Sequence, residues 1–290
     1  MRRLGAGWRD YILTAFSGAP DGSPDWVVQL REGEGPGFFG PGSAVWAVHG
    51  AMPVTVAGIR ALLMQALHPG AMAGVHDWSR YREDPLGRLA GTVRWVLTTT
   101  FADERGAVAA SEYVKRLHTR VEGTYGNAVP YSATDPELLR WVHIVFEESF
   151  LSAHQAWGRR IPGGADQYVR EWATAGDLMG VTAPPRTEAE LREQLAAFTP
   201  QLLSDERVAQ AVRFIRRPPL RKSLMPAYGI LFAGAVATIA PEYRRMLGVR
   251  RAWWPAITAT RVSLFVLGRL LGRPSTSEIS ARQRIDRPVR

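Results

Sequence analysis

Beyond residue 53 the apolar positions recur at intervals of three and four, the spacing that lines one face of a helix. VTVAGIRALLMQALHP (54–69) is apolar on nearly every side, as a buried helix is. It is expected to stop at Pro69, because the residue before a proline is steered out of the helical region. In DPLGRLAGTVRWVLTTTF (84–101), Asp84 is placed to cap a helix and Pro85 to occupy its first position. ERGAVAASEYVKRLHTRVEG (104–123) reads as the next helix, closed by Gly123. A loop, TYGNAVPYSA (124–133), leads to Thr134 or Asp135 as the cap of PELLRWVHIVFEESFLSAHQAWG (136–158). ADQYVREWATAGDLMG (165–180) and TEAELREQLAAF (187–198) continue the pattern, with TAPPR as the break between them.

The first fifty residues read differently. SGAPDGSPDW (17–26) and REGEGPGFFGPGS (31–43) are dense in Gly, Pro and Asp, the residues of turns. No alternating run is long enough to predict a sheet. The expected class is therefore all-α: an irregular N-terminal arm (1–50), one helical domain (51–275) and a solvated basic C-terminal tail (276–290).

Two C-terminal stretches call for a membrane test. Met225–Ala240 is short for a span and bounded by Pro226 and Pro241; Trp254–Leu271 contains Pro255, Arg261 and Arg269. Both read as buried or interfacial helices, so no transmembrane span is expected. Peripheral membrane contact and a homodimer interface are the uses such helices allow. The start, MRRLGAGWRDYILTAF, has twin arginines but no long apolar segment after them, which reads as a cytoplasmic protein without an export signal.

Composition narrows the chemistry. The chain has 290 residues and no cysteine, which removes disulfides, iron–sulfur clusters, zinc–thiolate sites and cysteine-ligated haem. Its net charge of +9 invites a nucleic-acid reading, but the arginines are scattered rather than gathered in a stripe with interleaved aromatics, so no nucleic-acid partner is expected. Glu-x-x-His, His-Glu-x-x-His, Gly-x-Ser-x-Gly and the P-loop are all absent. His143 and Glu147 share a helical face at i, i+4, with His154 three turns on, but no second helix completes a di-iron set.

A haem asks for less: one axial imidazole, an apolar slot, and cations for two propionates. His118 suits that demand. Lys115 lies on a neighbouring part of its face, Val114, Leu117 and Val121 supply apolar packing, and Arg116 and Arg120 reach either propionates or water.

The blocks GIRALLMQALHPGAMAGV (58–75), SRYREDPLGRLAGT (79–92), VKRLHTRVEGT (114–124) and PYSATDPELLRWVH (130–143), preceded by PGFFGPGSAVWAVHG (36–50), resemble in order and spacing the rubber oxygenases and the mycophenolic-acid-pathway oxygenase MpaB. The likeness runs from about residue 35 to about residue 250. It implies a globin-like core holding haem b, with dioxygen or peroxide acting on an apolar substrate, and it implies His118 as the proximal iron ligand. Arg88 and Thr92 match a distal arginine–threonine pair; Arg88 is equally open to an ion pair with Asp84 or to a propionate. Where rubber oxygenases carry a distal lysine, this chain has Gly91; where many relatives carry a histidine, it has Trp78, with His76 two residues earlier. His68 and His143 occupy the family's His-Pro and Trp-Val-His motifs and are expected beside the cofactor, His143 near a propionate or holding Glu147. Asp135 is expected to cap a helix. A small apolar substrate fits better than polyisoprene. The rival functions are a non-catalytic haem or gas-binding protein and an apolar-ligand carrier without haem.

Overall fold

The computed structural model describes residues 2–78, 85–250, 253 and 255–287. Among these, fifteen α-helices follow in order: α1 (Arg2–Ser17), α2 (Asp25–Gln29), α3 (Ala44–His49), α4 (Val54–Gln65), α5 (Pro69–Trp78), α6 (Pro85–Phe101), α7 (Glu104–His118), α8 (Pro136–Trp157), α9 (Ala165–Met179), α10 (Glu188–Ala197), α11 (Glu206–Arg216), α12 (Met225–Thr238), α13 (Pro241–Met246), α14 (Ala256–Leu271) and α15 (Thr276–Ile285). One antiparallel hairpin interrupts them, β1 (Glu122–Tyr125) and β2 (Val129–Ser132), registered Glu122 to Ser132 and Tyr125 to Val129. The all-α expectation holds.

Local chemistry sets the boundaries. Asp103, Asp135, Thr187, Asp205 and Ser275 each accept a backbone N–H of the following turn, satisfying a donor that the helix itself leaves unpaired. Asp135 is thus the cap expected of it, with Pro136 in the first position. α9 stops where Gly180 takes φ +83°, a left-handed turn that a side chain would strain.

The core is built around α8, which packs chiefly on α4 and also on α9, α10 and α12. Trp141, Ile144, Val145, Leu151 and Ala153 are sealed from solvent, facing Val56, Ala57, Leu63 and Met64 of α4. Arg60 of α4 is buried and locks three helices at once: it pairs with Glu148 through both guanidinium nitrogens, donates to Ser149 Oγ at 2.9 Å and reaches the Thr238 carbonyl of α12 at 3.4 Å. Removing one side of such a pair would leave an uncompensated charge in the interior.

Four expectations are corrected. The first fifty residues are not an irregular arm: α3 begins at a Ser43 cap and buries Ala44, Val45, Trp46 and Val48 in the core. Residues 276–287 are not a solvated tail. They fold as α15, and Arg284 is drawn inside, donating to the carbonyls of Leu30 (2.5 Å), Gly35 (3.0 Å) and Phe101 (2.8 Å). The helix expected to run to Gly123 ends at His118, because Gly123 belongs to β1. A Cβ there would lie 2.8 Å from the Tyr131 hydroxyl of the partner strand, so glycine serves the cross-strand packing rather than a helix stop. The segment read as a loop from residue 124 is the rest of this hairpin. Among the described residues no helix is long and apolar enough to cross a membrane.

Arg284→Ala strips three carbonyls of their donors at once. A loss of about 3 kcal/mol or more in unfolding free energy is expected from urea denaturation. Arg284→Lys should recover only part, since an ammonium cannot span three acceptors in this geometry.

Candidate functional site

His118 closes α7, and Thr119 caps the helix end behind it. Lys115, Arg116 and His118 form a basic last turn, the sign of charge that the helix dipole favours there. The imidazole is half-buried, and its Nδ1 lies out of reach of water with no hydrogen-bond partner. Burial lowers its pKa, so the ring is neutral at physiological pH and keeps a free lone pair. Leu117, the residue before it, is exposed, as are Tyr113 on α7, Trp78 at the end of α5 and Val129 on β2. Trp78 is fixed over the start of the hairpin by its indole N–H, which donates to the Glu122 carbonyl at 2.8 Å. A neutral imidazole with an unpartnered ring nitrogen fits what a haem ligand requires.

α6 and α7 are joined by two residues and run antiparallel. The Trp95 indole N–H donates to Ser111 Oγ at 3.2 Å and sets their register. One turn back along α6, Thr92 comes level with Val114 and Lys115; another turn brings position 88 level with His118. Thr92 is half-buried. The Arg88 side chain and Asp84 lie outside the described residues. Open space surrounds Gly91, so no packing requires a glycine there.

The other expected site residues fall in different settings. Lys115 is half-buried and paired with Glu112 at 2.8 Å, and Arg120 is exposed beyond the helix end. His76 is bonded to Asp77 at 2.8 Å on the surface, and the same carboxylate accepts the Tyr131 hydroxyl. His68 is buried at the α4–α5 corner, packed on Trp141 and Phe198, with Nε2 3.4 Å from Gln201 Oε1. His154 holds the end of α8: its Nε2 meets the Arg159 carbonyl at 2.9 Å, under Gly158, where a Cβ would fall 2.4 Å from the ring.

His143 and Glu147 do meet. They lie 3.6 Å apart, essentially without solvent contact, and His143 Nε2 and both Glu147 oxygens have no hydrogen-bond partner. Gly176 of α9 admits the His143 ring, since a Cβ there would stand 2.9 Å from it. Burial pushes the Glu147 carboxyl well up, although the charge of Arg186 works the other way, and it pushes His143 down to about 4. Both groups are therefore neutral near pH 7: a carboxylic acid and an imidazole, not an ion pair.

Sequence reading missed the polar cluster around His49. Its Nδ1 is 2.8 Å from Thr100 Oγ1 and its Nε2 is 3.1 Å from the Tyr168 hydroxyl, while its ring lies 4.4 Å from that of Trp172. Burial first, then the nearby His154, pushes His49 down to about 3. Burial and then the Glu147 carboxyl raise Tyr168 well above the phenol range. The run AVWAVH behind Ser43 was the available signal, hidden by the turn-rich residues on either side. Among the described residues no three His, Asp or Glu side chains gather as a metal set.

Glu147 leaves a measurable mark. Unfolded, it ionises near 4.5; folded, it stays protonated well above that, so rising pH favours the unfolded chain across this window. Glu147→Gln should therefore be more stable than the parent at pH 7.5. The gap should shrink toward pH 4.5 by up to about 1.4 kcal/mol per pH unit in urea denaturation. A variant less stable than the parent at pH 7.5 would mean an ionised, paired carboxylate in the fold.

Comparison with curated proteins and with solved structures returned no match. Residues 46–273 match the family described as ER-bound oxygenase mpaB/B'/Rubber oxygenase, catalytic domain, a span that starts within α3 and ends just beyond α14. The chain belongs to this oxygenase family.

Proposed function

We propose that the protein is a haem-b oxygenase of the cytoplasm, acting with dioxygen or peroxide on a small apolar substrate, with His118 as the axial ligand. The observation that carries the reading is His118 itself: a neutral imidazole at a basic helix end, with one nitrogen buried and unpaired. Family membership supports oxygenase chemistry and leaves cofactor and substrate to be argued from residues.

In a globin-like arrangement, α6 and α7 would supply the two walls of the pocket. Haem b, when bound through His118, supplies the iron that activates oxygen. The chain's own groups do the rest. Thr92 holds a hydroxyl on the facing helix, level with the turn before His118, where it can donate a hydrogen bond to an anionic oxygen. Position 88 places an arginine one turn further along, to stabilise developing negative charge. Lys115, Arg116 and Arg120 offer cations to propionates; Lys115 would have to leave Glu112 to do so. His68 and His143 would support the pocket from α4–α5 and α8. Neutral His143 and Glu147 add no buried charge that would compete for the imidazole or repel an apolar substrate. Tyr113, Leu117 and Trp78 give such a substrate an apolar approach.

Absorption spectroscopy with a pyridine haemochrome assay is the direct test. A Soret band and a b-type haemochrome are expected in the parent, with the band lost or shifted in His118→Ala. A protein colourless even after haemin is supplied would favour the apolar-ligand carrier. Haem with reversible oxygen binding, but no oxygen uptake on any alkene, would favour a gas-binding protein. In an active preparation, Thr92→Val should lower the rate about 10²-fold, judged by oxygen uptake, while leaving the haem content unchanged.

A further inference from the structure

α14 is set apart by what it leaves open. Ala256, Thr260 and Leu264 are buried along one side, where Thr260 Oγ1 donates to the Ile230 carbonyl of α12. The opposite side presents Val262 (58% exposed), Phe265 (64%), Val266 and Leu270, a single stripe at helical spacing, with Ile257 and Trp253 ahead of it.

One cation lies within this stripe and others border it. The Arg269 guanidinium lies over the Phe265 ring, 5.3 Å from its centre. Arg261 is exposed and donates to the Ala156 carbonyl at 2.9 Å, and Arg273 folds back beside Gly268. Between α8 and α9 an open cleft of about 640 Å³ is lined by Arg159, Arg160 and the Gly163–Gly164 pair. Burial, and after it the positive charge of Arg159, lowers the pKa of Arg273, so the cleft and the end of α14 share one electrostatic field. Between Glu242 and Glu278 the sequence has seven arginines and no Asp or Glu.

We propose that this face rests on an anionic lipid surface, with α14 in the plane of the interface, Val262, Phe265, Val266 and Leu270 among the acyl chains, and the surrounding arginines at the headgroup phosphates. An amphipathic helix with aromatic and aliphatic residues on one side, bordered by arginine and carrying a long arginine that can extend to the headgroups, is the composition that binds at such an interface. Its sixteen residues span about 24 Å, short of the ~30 Å hydrocarbon layer, so it lies on the membrane and does not cross it. The charge also selects the occupant. A two-fold pairing of this face would set arginine against arginine with no carboxylate in the segment to relieve them. The stripe, no wider than the helix, offers roughly 240 Å², well below the ~800 Å² per partner of a stable interface. Lipid phosphates remove the repulsion, at about 1 kcal/mol for each arginine near the surface.

The test is sedimentation of the full chain with vesicles of phosphatidylcholine alone and of phosphatidylcholine mixed with phosphatidylglycerol. Binding to the anionic vesicles, weakened by salt, is expected. It should fall by about tenfold or more in the doubly substituted Val262→Asp, Phe265→Asp protein, with the circular dichroism and thermal midpoint unchanged. Arg269→Glu with Arg273→Glu, which leaves the apolar stripe intact, should weaken binding similarly and covers the case in which the first variant fails to fold. No sedimentation with either vesicle, or equal sedimentation of parent and folded variants, would overturn the proposal. A parent dimer that the first variant abolishes, without vesicle binding, would reassign the face to a second copy of the chain.

Discussion

The structure depends on the burial of α8. This helix passes through the middle of the molecule, and α4, α9, α10 and α12 surround it so closely that its polar residues lose water along with its apolar ones. A buried polar group must find a partner or give up its charge. Arg60 and Glu148 take the first course, and the result is a clamp across three helices. His143 and Glu147 take the second, becoming neutral neighbours with unsatisfied atoms. Ordinary packing would favour an apolar pair at these two positions, so a carboxyl and an imidazole held there without partners are a cost that the fold carries.

That interior meets the proposed cofactor region through aromatic contacts. Trp95, which sets the register of α6 against α7, lies 6.1 Å from Trp172, and Trp172 packs on His49 within the buried polar cluster. The same helix pair therefore positions His118 at one end and is fixed to the core through its middle. The site is assembled by short local rules, a two-residue connection and one indole bond, on a frame whose rigidity comes from elsewhere.

Much of this was legible in the sequence, and the limits have physical causes. α4, α6, α8, α9 and α10 were readable because long amphipathic or buried periods and capping residues agree. α3 and α15 were not. Each is short, and each is placed by partners far along the chain: α3 by the core it enters, α15 by Arg284 reaching the carbonyls of Leu30, Gly35 and Phe101. The hairpin after His118 was missed because its strands are four residues long and its outer positions are exposed. The same limit applies to the site. His118 stood out through its neighbours and the family blocks, whereas His49, Thr100 and Tyr168 converge from three separate elements and share no motif. His143 and Glu147 showed their shared face in the sequence; only the packing of Gly176 and the enclosing helices reveals that both are neutral.

Chemical rescue tests the central claim, that His118 is the axial ligand, most directly. His118→Gly should fold, since the residue closes a helix at a half-buried position, and with haemin it should lack the parent's Soret maximum until free imidazole is added. Recovery of the parent spectrum on titration with imidazole is the expected result. A His118→Gly spectrum already identical to the parent's, and unmoved by imidazole, would contradict the assignment and place the ligand elsewhere in the chain.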